Sequence, residues 1–135
     1  MIIQEKIPSR LDAIPEFTLS LLGKLKHLSL KEQEIFNIQL SLEEALVNAV
    51  KHGNKLNPNL SAQVSVEAKD GSLIITVIDE GEGFDFKDIP DPTNIDNLQK
   101  PSGRGIFLIK KLMDKVEFFD CGRGIKMIKS LKKEA

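Results

Sequence analysis

Apolar residues recur along this chain at two spacings, every second residue and every third or fourth, and the changes between them divide it into elements. Met1 to Ile7 reads as a short strand that Pro8 ends. Ser9 with Asp12 resembles a helix start, because a serine hydroxyl can satisfy an orphan N–H of the first turn. Leu11, Ile14, Phe17, Leu21 and Leu25 then follow at helical steps, with Pro15 placing a slight irregularity early in that helix. Ser29 and Glu32 form a second capping box ahead of a long helix. Its core side carries Ile35, Ile38, Leu42, Ala45, Leu46 and Ala49, and it stops near Gly53-Asn54. After a turn at Asn57-Pro58-Asn59, Val64, Val66 and Ala68 alternate with polar residues as on a half-buried strand. Asp70-Gly71 is the preferred dipeptide of a tight hairpin, and Leu73 to Ile78 reads as a central strand. Asp79 to Ser102 is rich in Gly, Pro, Asp and Asn and reads as a long loop, of the length usually reserved for function. A helix from about Gly105 to Met113, a strand Val116 to Phe119, a turn Cys121 to Gly124 and a strand Ile125 to Leu131 complete the chain.

Strands joined by short turns, with helices between the groups, predict an α+β fold: a two-layer α/β sandwich whose mixed, mostly antiparallel sheet carries its helices on one face. At 135 residues, 41% hydrophobic and 29% charged, the chain suits a single domain spanning 1–135. A formal net charge of -1 argues against bulk attraction to nucleic acid or an anionic membrane. Charge is uneven along the chain. Asp79, Glu80, Glu82, Asp85, Asp88, Asp91 and Asp96 make the middle acidic, and Lys110, Lys111, Lys115, Arg123, Lys126, Lys129, Lys132 and Lys133 make the tail basic. These are either two solvated faces or a partner-binding surface. Cys121 is the sole cysteine, so neither an internal disulfide nor a thiolate zinc site can form. The N-terminus lacks a signal-peptide pattern, and no apolar run approaches the roughly 20 residues of a membrane span. A soluble, cytoplasmic protein is expected.

Three clusters can carry chemistry. In the first, Glu44 and Asn48 lie four apart on the long helix and so share a stripe, bordering its apolar face and flanked by Ser41, Lys51 and His52. A carboxylate at the rim of a core can polarise a hydroxyl, and an amide oxygen can bind Mg²⁺. Alone, the pair reads equally as an ordinary polar helix edge. In the second, Asp79 ends a strongly apolar strand, and Gly81 and Gly83 follow. An aspartate so placed can accept a hydrogen bond from an exocyclic amine such as that of adenine, though a glycine-rich surface turn has the same pattern. The third, Ser102-Gly103-Arg104-Gly105-Ile106, opens a helix, where backbone N–H groups and the helix dipole attract phosphate; alone it is also a plain flexible helix entry. A P-loop and a Rossmann fingerprint are missing, and His27 and His52 make no recognisable metal motif.

Taken together and in this order, the clusters resemble the GHKL, or Bergerat-fold, ATPases. Glu44-x-x-x-Asn48 looks like their N box, Asp79-x-Gly81-x-Gly83 like the G1 box, and Gly103-Arg104-Gly105 like the G2 box at the end of an ATP lid. Leu42 to Ala49 and the run from Gly103 to Phe118 are most similar to the anti-sigma factor serine/threonine kinases of the RsbW/SpoIIAB type. The resemblance implies ATP and Mg²⁺ as cofactors. It makes Glu44 the general base for an attacking serine hydroxyl, Asn48 the Mg²⁺ ligand and Asp79 the adenine contact. Gly81 and Gly83 would shape the pocket, Gly103 and Gly105 would face phosphate with Arg104 between them, and Lys51 and His52 would lie at the ATP site. It also implies a sigma factor and a STAS-domain antagonist as partners, and a homodimer. Two positions depart from the family. Pro101 stands where some members carry an arginine, and Ile125 and Lys126 follow Gly124 where many carry threonines. Two functions therefore stand side by side: a protein-serine kinase that sequesters a partner, favoured by Glu44, and a nucleotide-gated binding module with weak or no kinase activity, favoured by Pro101. A fragment of a histidine kinase or chaperone is the third reading.

Overall fold

The computed structural model describes residues 2–81 and 101–131, with the side chains of residues 101–104 excepted. Strand β1 (Ile2–Pro8) leads through a 3₁₀ turn at Leu11–Ala13 into helix α1 (Ile14–Lys24). A second 3₁₀ turn, Lys26–Leu28, precedes helix α2 (Glu32–Val47), which continues as a π-helical segment, Asn48–Gly53. Strands β2 (Ser61–Lys69) and β3 (Ser72–Ile78) form a hairpin. Helix α3 (Pro101–Leu112) and the hairpin β4 (Lys115–Phe119) and β5 (Gly124–Ser130) follow. The five strands form one sheet in the order β1-β2-β3-β5-β4. Every pairing among the described residues is antiparallel, so the parallel component of the expected mixed sheet does not occur there.

The register explains the two layers. Val64 lies opposite Val77 and Val77 opposite Ile125; Val66 lies opposite Ile75 and Ile75 opposite Met127. All six are buried and share one core with Leu21 and Leu25 of α1, Ile38, Leu42, Ala45 and Leu46 of α2, and Ile109 of α3. Because successive side chains on a strand alternate in direction, the intervening residues Gln63, Ser65, Thr76 and Lys126 lie on the other face, which the helices leave open. Helices α1 and α3 both pack along α2, the central helix of the layer. No helix among the described residues is long and apolar enough to cross a membrane.

Several local expectations are corrected. Ser9 caps no helix: its hydroxyl is buried, donates to the Leu60 carbonyl at 2.6 Å and accepts from the Asn54 amide at 3.1 Å. Asp12 pairs with exposed Arg10 instead. Pro15 falls in the first turn of α1, where its missing N–H costs nothing, and the irregularity lies ahead of it as the 3₁₀ turn. Ser29 adopts a left-handed conformation (φ 53°), and α2 starts later, with the Glu34 carboxylate accepting from the Lys31 N–H at 2.9 Å. Leu11 and Ile35 are exposed, because the first belongs to the separate turn and the second to the solvent side of the first turn of α2. Helix α3 starts at Pro101, four residues before the expected Gly105. Asp70 (φ 51°) and Gly71 (φ 74°) form the expected tight hairpin turn with both central residues left-handed.

The long helix ends as a widened turn. The Asn54 N–H donates to the Ala49 carbonyl at 2.7 Å, five residues back, and Leu56 to Val50 at 2.9 Å; Lys55 and Leu56 carry the left-handed backbone that stops it. The buried Asn54 amide then ties this end to the sheet, accepting from the Glu80 N–H at 2.8 Å while donating to Ser9. Asn54→Ala leaves the part-buried Glu80 N–H and the buried Ser9 hydroxyl without their partner and is expected to destabilise the fold by about 1–3 kcal/mol. In urea the midpoint should fall with the slope unchanged; an unmoved midpoint removes Asn54 as the tie between these elements.

Candidate functional site

The site residues come from the end of α2 and its π-helical continuation, the end of β3 and the start of α3. Glu44, in the last turn of α2, and Asn48, the first residue of its π-helical continuation, lie four residues apart, half-buried, on the edge that faces α3. They converge at Gly105: a Cβ there would stand 2.9 Å from Glu44 Oε2 and 3.4 Å from the Asn48 amide nitrogen. Glycine is what allows α3 to come this close, and the result is a carboxylate and an amide side by side at the first turns of a helix. Ser41, expected to flank the stripe, is fully buried, and its hydroxyl has no hydrogen-bond partner among the described residues. Lys51 and His52 lie on the π-helical segment and are exposed.

The second half of the site centres on Asp79. The β3 strand ends one residue before it, and the Asp79 N–H donates to the Arg123 carbonyl at 3.0 Å. The side chain is only 7% exposed. It sits against Gly53, where any Cβ would collide with both carboxylate oxygens, and it accepts from the Gly81 N–H at 2.8 Å. A Cβ on Gly81 would in turn collide with the Gly53 carbonyl. Two glycines, one on each chain segment, thus let a helix end and a strand end meet around one carboxylate. Glu80 points the other way, accepting from the Ser61 N–H at 2.8 Å and hydroxyl at 3.0 Å, and so anchors the turn to β2. Gly83 and residues 86–100 of the expected lid, Phe86 to Ser102, lie outside the described residues, while Pro101 and Ser102, expected in that loop, begin α3.

Electrostatics distinguish the acids. Burial raises the Asp79 pKa; the Gly81 N–H and Arg123 oppose this, and Asp120 adds to it. Burial, followed by the neighbouring charge of Glu43, raises Glu44. Ser61 holds Glu80 below the usual carboxylate range. His52 is lowered by burial and then by Lys51, which favours its neutral ring. Carboxylates held high while others nearby stay low mark sites where protons are moved or polar ligands bound.

Helix α3 starts at Pro101, so Gly103 and Gly105 lie inside it and not in a turn before it. By helix geometry Gly103 is among the first four residues, whose N–H groups have no partner within the helix, while Gly105 comes after them. Gly105 thus serves close approach to Glu44, and the anion-attracting N–H groups belong to Ser102, Gly103 and Arg104. Residue spacing missed Gly53, Asn54 and Arg123. Gly53-Asn54 carried a signal, since a Gly-Asn pair at a helix end can do more than stop it. Arg123 carried none, because its partners lie far away in sequence.

The model of the histidine kinase-like ATPase domain matches residues 7–129, and so includes every element from the end of β1 to β5. The chain belongs to the histidine kinase-like ATPase family. It is 32% identical to the serine-protein kinase RsbW of Staphylococcus epidermidis over 98% of this chain and 88% of the relative. Against the RsbW of Staphylococcus aureus strain JH9 the identity is 30% over the same shares. Among solved structures, the RsbU and RsbW domains of a Mycobacterium tuberculosis protein superpose with a TM-score of 0.60 at 14% identity, over 96% of this chain and 31% of that longer one, which shows a shared fold. The enzyme class of the chain is a GHKL-type kinase, and ATP use comes with it.

Two outcomes follow from the geometry around Asp79. Gly81→Ala forces a methyl group onto the Gly53 backbone and should destabilise by about 1–3 kcal/mol, measured by thermal unfolding; a neutral result rules out the tight approach. Raised carboxylates bind protons more tightly in the folded state than in the unfolded chain. Their cost to stability is absent below the ordinary carboxylate pKa and complete above the raised folded one. At neutral pH, Asp79→Asn should therefore raise the unfolding temperature without nucleotide, and the difference from wild type should vanish toward acid. A lower temperature for the variant at neutral pH contradicts the sign.

Proposed function

We propose that this chain is an ATP-dependent protein-serine kinase and anti-sigma factor, which phosphorylates a serine on a STAS-domain antagonist and sequesters a sigma factor in a partner switch. The observation that carries it is the convergence of Glu44 and Asn48 on Gly105 in the helix layer, with Asp79 held between Gly53 and Gly81 where that layer meets the end of β3. The relatives' name, serine-protein kinase RsbW, supplies the acceptor class. In this reading the single domain covers 1–135 and acts in the cytoplasm as a homodimer.

The roles follow from the chemistry of each position. Asp79, desolvated and oriented by Gly81, accepts a hydrogen bond from the adenine amine, and a dry carboxylate makes that bond stronger than a solvated one does. Gly81 and Gly83 shape the base end of the pocket. Asn48 offers a hard amide oxygen beside the phosphate-facing start of α3, and this fits Mg²⁺, which takes one or two protein oxygens and otherwise prefers phosphate and water. Bound there, Mg²⁺ supplies charge neutralisation for the phosphates. The N–H groups of Gly103 and its neighbours, with Arg104, face the same phosphates. Glu44 takes the proton of the serine hydroxyl: burial, and then the charge of Glu43, raise its pKa, which makes the carboxylate a stronger base than a solvated one. Lys51 and His52, exposed at the end of the same helix, line the outer rim.

A second reading, a nucleotide-gated binding module, is favoured by Pro101. Proline at the first position of α3 starts the helix well but supplies no cation to a transferring phosphoryl group.

Two measurements test the proposal. Mg·ATP should bind in calorimetry and raise the unfolding temperature; no binding at millimolar ATP defeats it. Glu44→Ala should keep ATP affinity within about threefold while slowing phosphate transfer to a STAS-domain serine by roughly 10²–10⁴. A full transfer rate in that variant removes Glu44 as the base, and binding without transfer in the wild type selects the second reading.

A further inference from the structure

Arg123 lies in the β4–β5 hairpin turn, far in sequence from all three clusters, yet it grips the turn that follows Asp79. Its Nε donates to the Gly81 carbonyl at 2.7 Å, and its own carbonyl accepts from the Asp79 N–H at 3.0 Å. Its Nη1 donates to the Asp120 carbonyl at 3.3 Å and stands 3.5 Å from the Asp120 carboxylate. Gly81 is therefore held from both sides: its N–H by Asp79 Oδ1 and its carbonyl by Arg123. That leaves one orientation for the turn, the one that presses Gly81 against Gly53 and places the Asp79 carboxylate between them.

The hairpin that presents Arg123 is held in an unusual shape. Asp120, Cys121 and Gly122 are successively left-handed, with φ of 51°, 55° and 81°. Side-chain-bearing residues rarely adopt that conformation, and two in a row persist only where the surroundings determine them. Here the surroundings include the bonds from Gly122 N–H to the Phe119 carbonyl and from Arg123 N–H to the Asp120 carbonyl, each 3.1 Å, which fold the turn back so that the guanidinium reaches Gly81.

We infer that Arg123 is a positioning residue of the nucleotide pocket: by holding the Gly81 carbonyl it sets the place of the Asp79 carboxylate, and with it the affinity for the base and the preference for adenine over guanine. This rests on the ATP reading above. A guanidinium is suited to the task because its planar fork serves Gly81 through Nε and Asp120 through Nη1 at once. A lysine has a single head group and recovers the effect in part.

The test uses the full chain and three probes with Mg²⁺: ATP, GTP and inorganic tripolyphosphate, which has no base. Calorimetry on wild type, Arg123→Ala and Arg123→Lys is expected to show ATP binding weakened roughly tenfold in the alanine variant and partly restored in the lysine variant. The ratio of ATP to GTP affinity should fall, while tripolyphosphate affinity changes less than about twofold. Arg123→Gln takes the place of the alanine variant if that one does not fold. Unchanged ATP affinity and base preference in a variant, with wild type binding ATP, overturn the inference and leave the ATP reading intact. Equal losses for ATP and tripolyphosphate also overturn it, since they mean a general loosening. A wild type that binds no ATP removes the ATP reading and this inference together.

Discussion

The candidate site depends on one close approach, that of the π-helical segment after α2 to the end of β3, with glycine on both sides. Gly53 makes room for the Asp79 carboxylate, and Gly81 makes room for the Gly53 backbone. Side chains at these two positions would separate the helix layer from the sheet at the edge where Asp79 lies. Asn54 sets the register of the approach by bonding the residue after Asp79, and it is held by Ser9, whose hydroxyl donates to the Leu60 carbonyl. The π-helical widening belongs to the same constraint: it shifts the helix end so that Gly53 and Asn54 both face the sheet.

This arrangement sets stability against ligand binding. Asp79 is buried with its charge compensated in part by the Gly81 N–H and Arg123, and Glu44 is raised by burial beside Glu43. In the absence of a ligand these are costs to the fold. They are tolerable because the core beneath, from Leu42 and Leu46 to Ile75 and Met127, is continuous across both layers. In the proposed function, polar groups held in fixed orientation would meet a ligand without the reorganisation that water would need.

Much of this could be read from residue order. The alternation at Val64, Val66 and Ala68, the apolar run Leu73 to Ile78, the Asp70-Gly71 turn and the periodicity of α2 each follow from local rules, and all appear in the structure near the expected places. The errors fall where a local rule has several outcomes. Ser9 and Ser29 both fit the pattern of a cap, but a buried acceptor claimed the first and a left-handed backbone the second. Ile35 keeps the helical spacing, yet no element among the described residues covers it. Gly105 was legible as important and not as to why: spacing suggested a phosphate-facing N–H, and the packing shows an approach to Glu44.

The sequence by itself determined the order of strands and helices, the pairing of Glu44 with Asn48 on one helical stripe, and the position of Asp79 at the end of an apolar strand. These are consequences of periodicities of two and of three to four, which act over a few residues. Only the tertiary structure decided that Gly105 meets Glu44 and that Gly53 meets Asp79. It also decided that Asn54 bonds Glu80, and that Arg123 reaches back across the sheet edge to Gly81. The partners in the last two bonds are 26 and 42 residues apart. At such separations no local preference links them, and only the packing of β5 beside β3 and of α2 across the sheet brings them within reach.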